Sequence, residues 1–122
     1  MLLLAAALTL FIGLAHSYLG EKWLIGPITK MDTLPFPKSK TVFAKQTLRF
    51  AWHITSLAWW GIAGLMVYLY FVPGDALGGF LWMCAIMFGI TGLIPIVIGK
   101  GRHKSWIVFL SIAAITGYLA VS

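Results

Sequence analysis

Acidic residues are almost missing from this chain: Glu21, Asp32 and Asp75 are the only three in 122 positions. Paired carboxylates within an apolar segment are therefore absent, which argues against proton pumping through a carboxylate relay. The one cysteine, Cys84, lies within an apolar run, so no internal disulfide can form and the redox compartment stays open. There is no glycine-rich phosphate loop, no His-Glu-x-x-His or Cys-x-x-Cys spacing, and no Ser-His-Asp set. The apolar runs lack period-two alternation, which excludes a membrane β-barrel and leaves helices. Charge of either sign is scarce, at 10% against 61% hydrophobic residues. So little polar surface cannot coat a soluble domain of this length.

What the chain does contain is four apolar runs, residues 1–19, 50–72, 77–98 and 106–121. At 1.5 Å per residue the first three match a hydrocarbon core of about 30 Å, and the fourth falls short and must recruit Lys104 snorkelling or local thinning. The expectation is an all-α fold, an integral membrane antiparallel four-helix bundle forming one domain over residues 1–122. The first run lacks the cationic start of a secretory signal, so it reads as a retained span.

The basic residues set the orientation. Lys22, Lys30, Lys38, Lys40, Lys45 and Arg49 lie between the first two runs, and Lys100, Arg102 and Lys104 between the last two. All nine therefore fall on one side, with Glu21 and Asp32, giving 9 − 2 = +7 there. The positive-inside rule puts that side in the cytoplasm and both termini outside, in a bacterial inner membrane. Because these residues flank spans and form no separate basic domain, the expected partner is a bilayer with anionic headgroups, and nucleic acid is not expected.

Within the loop of residues 20–49, Gly26-Pro27 and Pro35-Phe36-Pro37 are expected to break any helix. Ser39 then caps a new helix running into the second span, about 50 Å in all. Gly20 is expected to let the chain turn so that Glu21 folds back toward the histidines. Trp23, beside Lys22, reads as an interfacial anchor.

The candidate site comes from polar residues at the membrane border. Gln46, Arg49, His53, Ser56 and Trp60 are spaced by 3, 4, 3 and 4, which keeps them on one helical stripe facing protein or water. His16 lies one turn before the cytoplasmic end of the first span, at the same depth as His53, and His103 in the second basic loop can reach that layer. His16, Glu21, His53 and His103 could together bind zinc or iron, and His16 with His53 could be axial ligands of a haem. Arg49, Ser56, Trp60, Arg102 and Lys104 are candidates for substrate or lipid-headgroup contact. Against a metal stand seven net positive charges nearby, and interfacial histidines commonly serve only as hydrogen-bond partners. Met83, Cys84 and Met87 are soft donors that suit copper(I), but at helical spacing they read as packing. Small residues at Ala5, Thr9 and Gly13, at Gly61 and Gly64, and at Ala113 and Gly117 allow close helix approach, within the chain or between copies.

His16-Ser-Tyr-Leu-Gly-Glu21, with Arg49-Phe-Ala-Trp-His-Ile-Thr-Ser-Leu-Ala-Trp-Trp60, resembles a pattern in small, uncharacterised four-span bacterial membrane proteins. The resemblance covers most of the chain and implies a bacterial inner membrane without any activity. Three functions follow as expectations. The first is a non-enzymatic membrane component, self-associating or an accessory subunit of a larger complex. The second is a binding or catalytic protein with a cytoplasm-facing His/Glu/Arg site for a metal, haem, quinone or lipid headgroup. The third is a small dimeric transporter or channel lined by the stripe.

Overall fold

Long apolar runs, interrupted by a proline only at Pro95 near the end of the third, favour long helices. The computed structural model describes residues 1–32, 35, 37–98, 100–102 and 104–122, and its regular structure is entirely helical among those residues. Helix α1 (Leu2–Gly20) passes through one wide π turn (Glu21–Ile25) into the short α2 (Gly26–Lys30). Three more helices follow: α3 (Lys38–Phe71), α4 (Ala76–Val97) and α5 (Ser105–Val121). By length and composition, Leu2–Lys30, Lys38–Phe71 and Ala76–Val97 are long and apolar enough to cross a membrane, while Ser105–Val121 is a shorter apolar helix.

The break expected at Gly26-Pro27 does not occur. The Gly26 N–H reaches back to the Glu21 carbonyl, one residue further than in an α-helix. Pro27 then falls in the first turn of α2, where its missing N–H and fixed φ do no harm. A Cβ on Gly26 would stand 2.5 Å from the Glu21 carbonyl oxygen, so glycine is what lets this turn close. Nor does Gly20 turn the chain: its backbone is right-handed helical, with φ −61° and ψ −44°. Helix α3 begins one residue before Ser39, after Pro37, with no side-chain cap, and its 34 residues span about 50 Å.

The surface is inverted relative to a soluble bundle. Large apolar side chains on every long helix are exposed, including Phe11, Phe71, Leu93 and Ile115, whereas Ser56 and Thr91 are buried. The exposed area is 8047 Å², against about 6,500 Å² expected for a soluble monomer of this mass. Apolar surface left outside and polar groups turned inside is the arrangement that hydrocarbon solvent favours.

Packing is sequential: α1 on α3, α3 on α4, α4 on α5. Each seam is made by glycines that receive a large side chain. A Cβ at Gly13 would overlap the Trp60 indole, and one at Gly20 the Trp52 indole. Between α3 and α4, the Met87 and Met83 sulfurs would lie 2.6 and 2.9 Å from a Cβ on Gly61 and Gly64. These thioethers are packing groups, as their spacing suggests. Gly92 receives Leu110, and Gly117 faces Ala85, on the seam of α4 with α5. At the α3–α4 turn Asp75 caps α4, accepting from the Gly78 N–H at 2.9 Å and from the Tyr68 hydroxyl at 2.6 Å.

The seam between α1 and α3 yields a test. Gly20→Ala should destabilise the fold by about 1–3 kcal/mol, because the added methyl displaces an indole from a filled groove. Gly74→Ala, with nothing within 4 Å of the new Cβ, should stay within about 0.5 kcal/mol. Reversible unfolding in bicelles, followed by tryptophan fluorescence, measures both; equal stability of the two variants would contradict this packing.

Candidate functional site

Helical spacing carries His16 and Ser17 from α1 and Arg49, His53, Ser56 and Trp60 from α3 to one seam. Ser56 is the most enclosed of these, at 1% exposure. His16 Nδ1 lies 3.1 Å from Ser56 Oγ, and the Ser17 and Ser56 hydroxyls share a hydrogen bond of 2.8 Å. Ser17 Oγ is also 2.9 Å from His53 Nδ1, whose opposite ring nitrogen, Nε2, lies 3.2 Å from Glu21 Oε2. A continuous line of four contacts thus runs His16–Ser56–Ser17–His53–Glu21.

The acid end is anchored by a guanidinium. Arg49 donates from a terminal nitrogen to Glu21 Oε1 at 2.6 Å and from Nε to Glu21 Oε2 at 3.2 Å, and also reaches the Thr29 hydroxyl at 3.4 Å. This two-point fork orients the carboxylate and keeps it ionised. Both partners are partly exposed, at 49% and 39%, so the pair adds little to stability. Glu21 arrives here because the π turn that begins at it continues α1 along α3, rather than by a reversal of the chain.

The imidazole of His16 is held as firmly. It stacks on the Trp52 ring at 4.5 Å with 4° between planes and meets the Trp59 edge at 5.0 Å. The Trp52 indole N–H donates to the His16 carbonyl at 3.1 Å, and the Thr55 hydroxyl donates to the Trp52 carbonyl at 2.6 Å while lying 3.4 Å from His16 Nδ1. Trp60 donates to the Leu10 carbonyl at 3.3 Å and so serves the seam one turn deeper.

Beside this line, His53 and Arg49 also border a cavity of about 550 Å³. Its walls are apolar, from Val42, Phe43, Phe50, Ile94, Pro95 and Ile98, while Lys45, Arg49 and Arg102 bring positive charge to it. Gln46, the remaining stripe residue, lines it too. Lys45 donates to the Met31 carbonyl at 2.8 Å, which ties the basic segment to the start of α3.

The sequence candidates are therefore distributed unevenly. His16, Glu21, Arg49, His53 and Ser56 join one network, Trp60 packs below it, and Arg102 lines the cavity. Lys104 precedes α5 at the surface, without a side-chain capping bond. His103 lies outside the described residues. Among the described residues no three His, Cys, Asp or Glu side chains group so as to hold a metal ion; His16, Glu21 and His53 are instead hydrogen-bonded to serines, to each other or to Arg49. Reading by motif missed the Ser–His–acid arrangement of Ser17, His53 and Glu21, and missed Trp52 beneath His16. No spacing along the chain signals it, because these residues meet only through the alignment of α1 with α3.

Comparison with family models, with curated proteins and with solved structures finds no match. The chemistry is accordingly argued from the geometry.

The Glu21–Arg49 fork can be weighed by a double-mutant cycle of Glu21→Gln and Arg49→Met. A coupling of about 0.2–1 kcal/mol is expected for so exposed a pair. A coupling of several kcal/mol in bicelle unfolding would mean that the pair is enclosed and far more strongly coupled.

Proposed function

We propose that this chain is a four-span inner-membrane protein, with antiparallel helices, cytoplasmic basic segments and outside termini, that binds an anionic amphiphile at its basic end. The observation that carries this reading is the cavity of about 550 Å³, whose apolar lining is interrupted by the cations Lys45, Arg49 and Arg102. Its size suits a small amphiphilic ligand. Apolar walls accept acyl or isoprenoid carbon, and cations beside them accept a phosphate headgroup. Glu21 offsets Arg49, leaving Lys45 and Arg102 as the net positive charge. His53 borders the same cavity, with its two ring nitrogens engaged by Ser17 and Glu21.

The lipid-headgroup reading is favoured over a self-associating component. Glycines that could have served contacts between copies, Gly13, Gly61, Gly64 and Gly117, are filled from within the chain. A membrane setting is supported by the apolar exterior of all four long helices and by the one-sided placement of Lys and Arg.

Two measurements test it. Lys45→Gln combined with Arg102→Gln should lower retention of phosphatidylglycerol in nanodiscs by about thirtyfold, at about 1 kcal/mol per basic residue. Unchanged retention in native mass spectrometry would sink the headgroup reading. For orientation, Lys40→Cys in a Cys84→Ser background should react with an impermeant maleimide only from the cytoplasmic face. Labelling from the outer face would reverse the topology.

A further inference from the structure

We propose that the paired hydroxyls of Ser17 and Ser56 form a proton relay between His16 and His53. Donor and acceptor capacity restricts where the protons can sit. An ionised Glu21 can only accept, so His53 Nε2 carries a hydrogen in every state of this contact. A hydroxyl has one hydrogen to donate, so two proton orders satisfy all four contacts together.

In the first order His53 is an imidazolium. Its Nδ1–H donates to Ser17, Ser17 donates to Ser56, and Ser56 donates to a bare His16 Nδ1, leaving neutral His16 with its hydrogen on Nε2. In the second, His53 is neutral and every bond between the histidines is reversed. His16 Nδ1–H donates to Ser56, Ser56 to Ser17, and Ser17 to a bare His53 Nδ1. The contact distances of 3.1, 2.8 and 2.9 Å serve either direction.

The two orders interconvert by moving one positive charge with no heavy atom displaced. Starting from His16 as the imidazolium, three bonds break: His16 Nδ1–H, Ser56 O–H and Ser17 O–H. Three form: a new O–H on Ser56, a new O–H on Ser17, and His53 Nδ1–H. The charge leaves one imidazole and appears on the other, and both hydroxyls end with one hydrogen each. Each terminus is suited to hold it. His16 lies flat on the Trp52 ring, which attracts a cation at its face, and His53 meets the Glu21 carboxylate. The stack also holds the His16 ring against rotation that would swap its nitrogens. Thr55, the other hydroxyl near His16 Nδ1, gives its hydrogen to the Trp52 carbonyl and so can only accept from that ring.

Charged groups around the relay are Glu21 on the π turn, Arg49 and Lys45 on α3, and Arg102, which lines the cavity. Because His53 borders the cavity while His16 faces Trp52 and Trp59 on the seam, the relay carries protons to and from the cavity wall. This inference does not depend on which ligand the cavity takes.

The test is nitrogen-15 NMR of histidine-labelled full-length protein in lipid nanodiscs, read across a pH titration. When a proton enters from solvent at His16 Nε2 and the His16 Nδ1 proton passes along the two hydroxyls to His53 Nδ1, His53 becomes the imidazolium and His16 is left neutral with its hydrogen on Nε2, so the two rings are expected to change together. Ser17→Ala and Ser56→Ala should each abolish this response while His53 still titrates, with folding verified by tryptophan fluorescence. A His16 tautomer that stays fixed through the His53 titration in the unmodified protein overturns the relay. So does a tautomer change that persists in both serine variants.

Discussion

The close approach of α1 to α3 is the constraint on which the site depends. Gly13 and Gly20 leave grooves one side chain deep, and Trp60 and Trp52 fill them. With Trp52 seated against Gly20, its indole supports the His16 ring and satisfies the His16 carbonyl. The same approach brings Ser17 within hydrogen-bond reach of both His53 and Ser56. A wider seam would leave these short side chains facing apolar neighbours without partners, at about 1–3 kcal/mol for each unsatisfied group. Small residues at the seam and polar residues within it are therefore one solution rather than two.

That economy explains why the polar groups are of these kinds. Serine hydroxyls both donate and accept, and imidazoles do the same at two nitrogens, so a line of them can satisfy itself under more than one proton order. Arg49 and Glu21 stand at the half-exposed end of the line, where their charges remain partly hydrated and their desolvation is limited. Their contribution is chiefly orientation: the fork aims one carboxylate oxygen at His53, and that contact sets which ring nitrogen must carry hydrogen.

Much of this was legible in particular residues. The 3, 4, 3, 4 spacing from Gln46 to Trp60 placed one face of α3 correctly, because helical period alone determines which residues share a stripe. The helical starts and stops near Phe71, Ala76 and Ser105 followed from turn chemistry at Pro73-Gly74-Asp75 and from the polar break before α5. Gly26-Pro27 was misleading, since a breaker dipeptide reads as a stop unless the preceding turn has already shifted register. Gly20 was misread for a similar reason: glycine permits a turn, but here it permits contact. Ser17, His53 and Glu21 could not be recognised as a set, because their order along the chain matches no motif and their meeting depends on how two helices align.

By itself, then, the sequence determined that the chain is helical, apolar on its outside and basic only in the stretches between its first two and its last two apolar runs, since composition, hydrophobic run length and the placement of Lys and Arg act locally and additively. Only tertiary structure decided which glycine receives which aromatic ring, which nitrogen of His53 meets Glu21, and that two serines close the gap between two histidines. Those outcomes depend on helix register across a seam, where a shift of one residue rotates every side chain by about 100° and removes the contact.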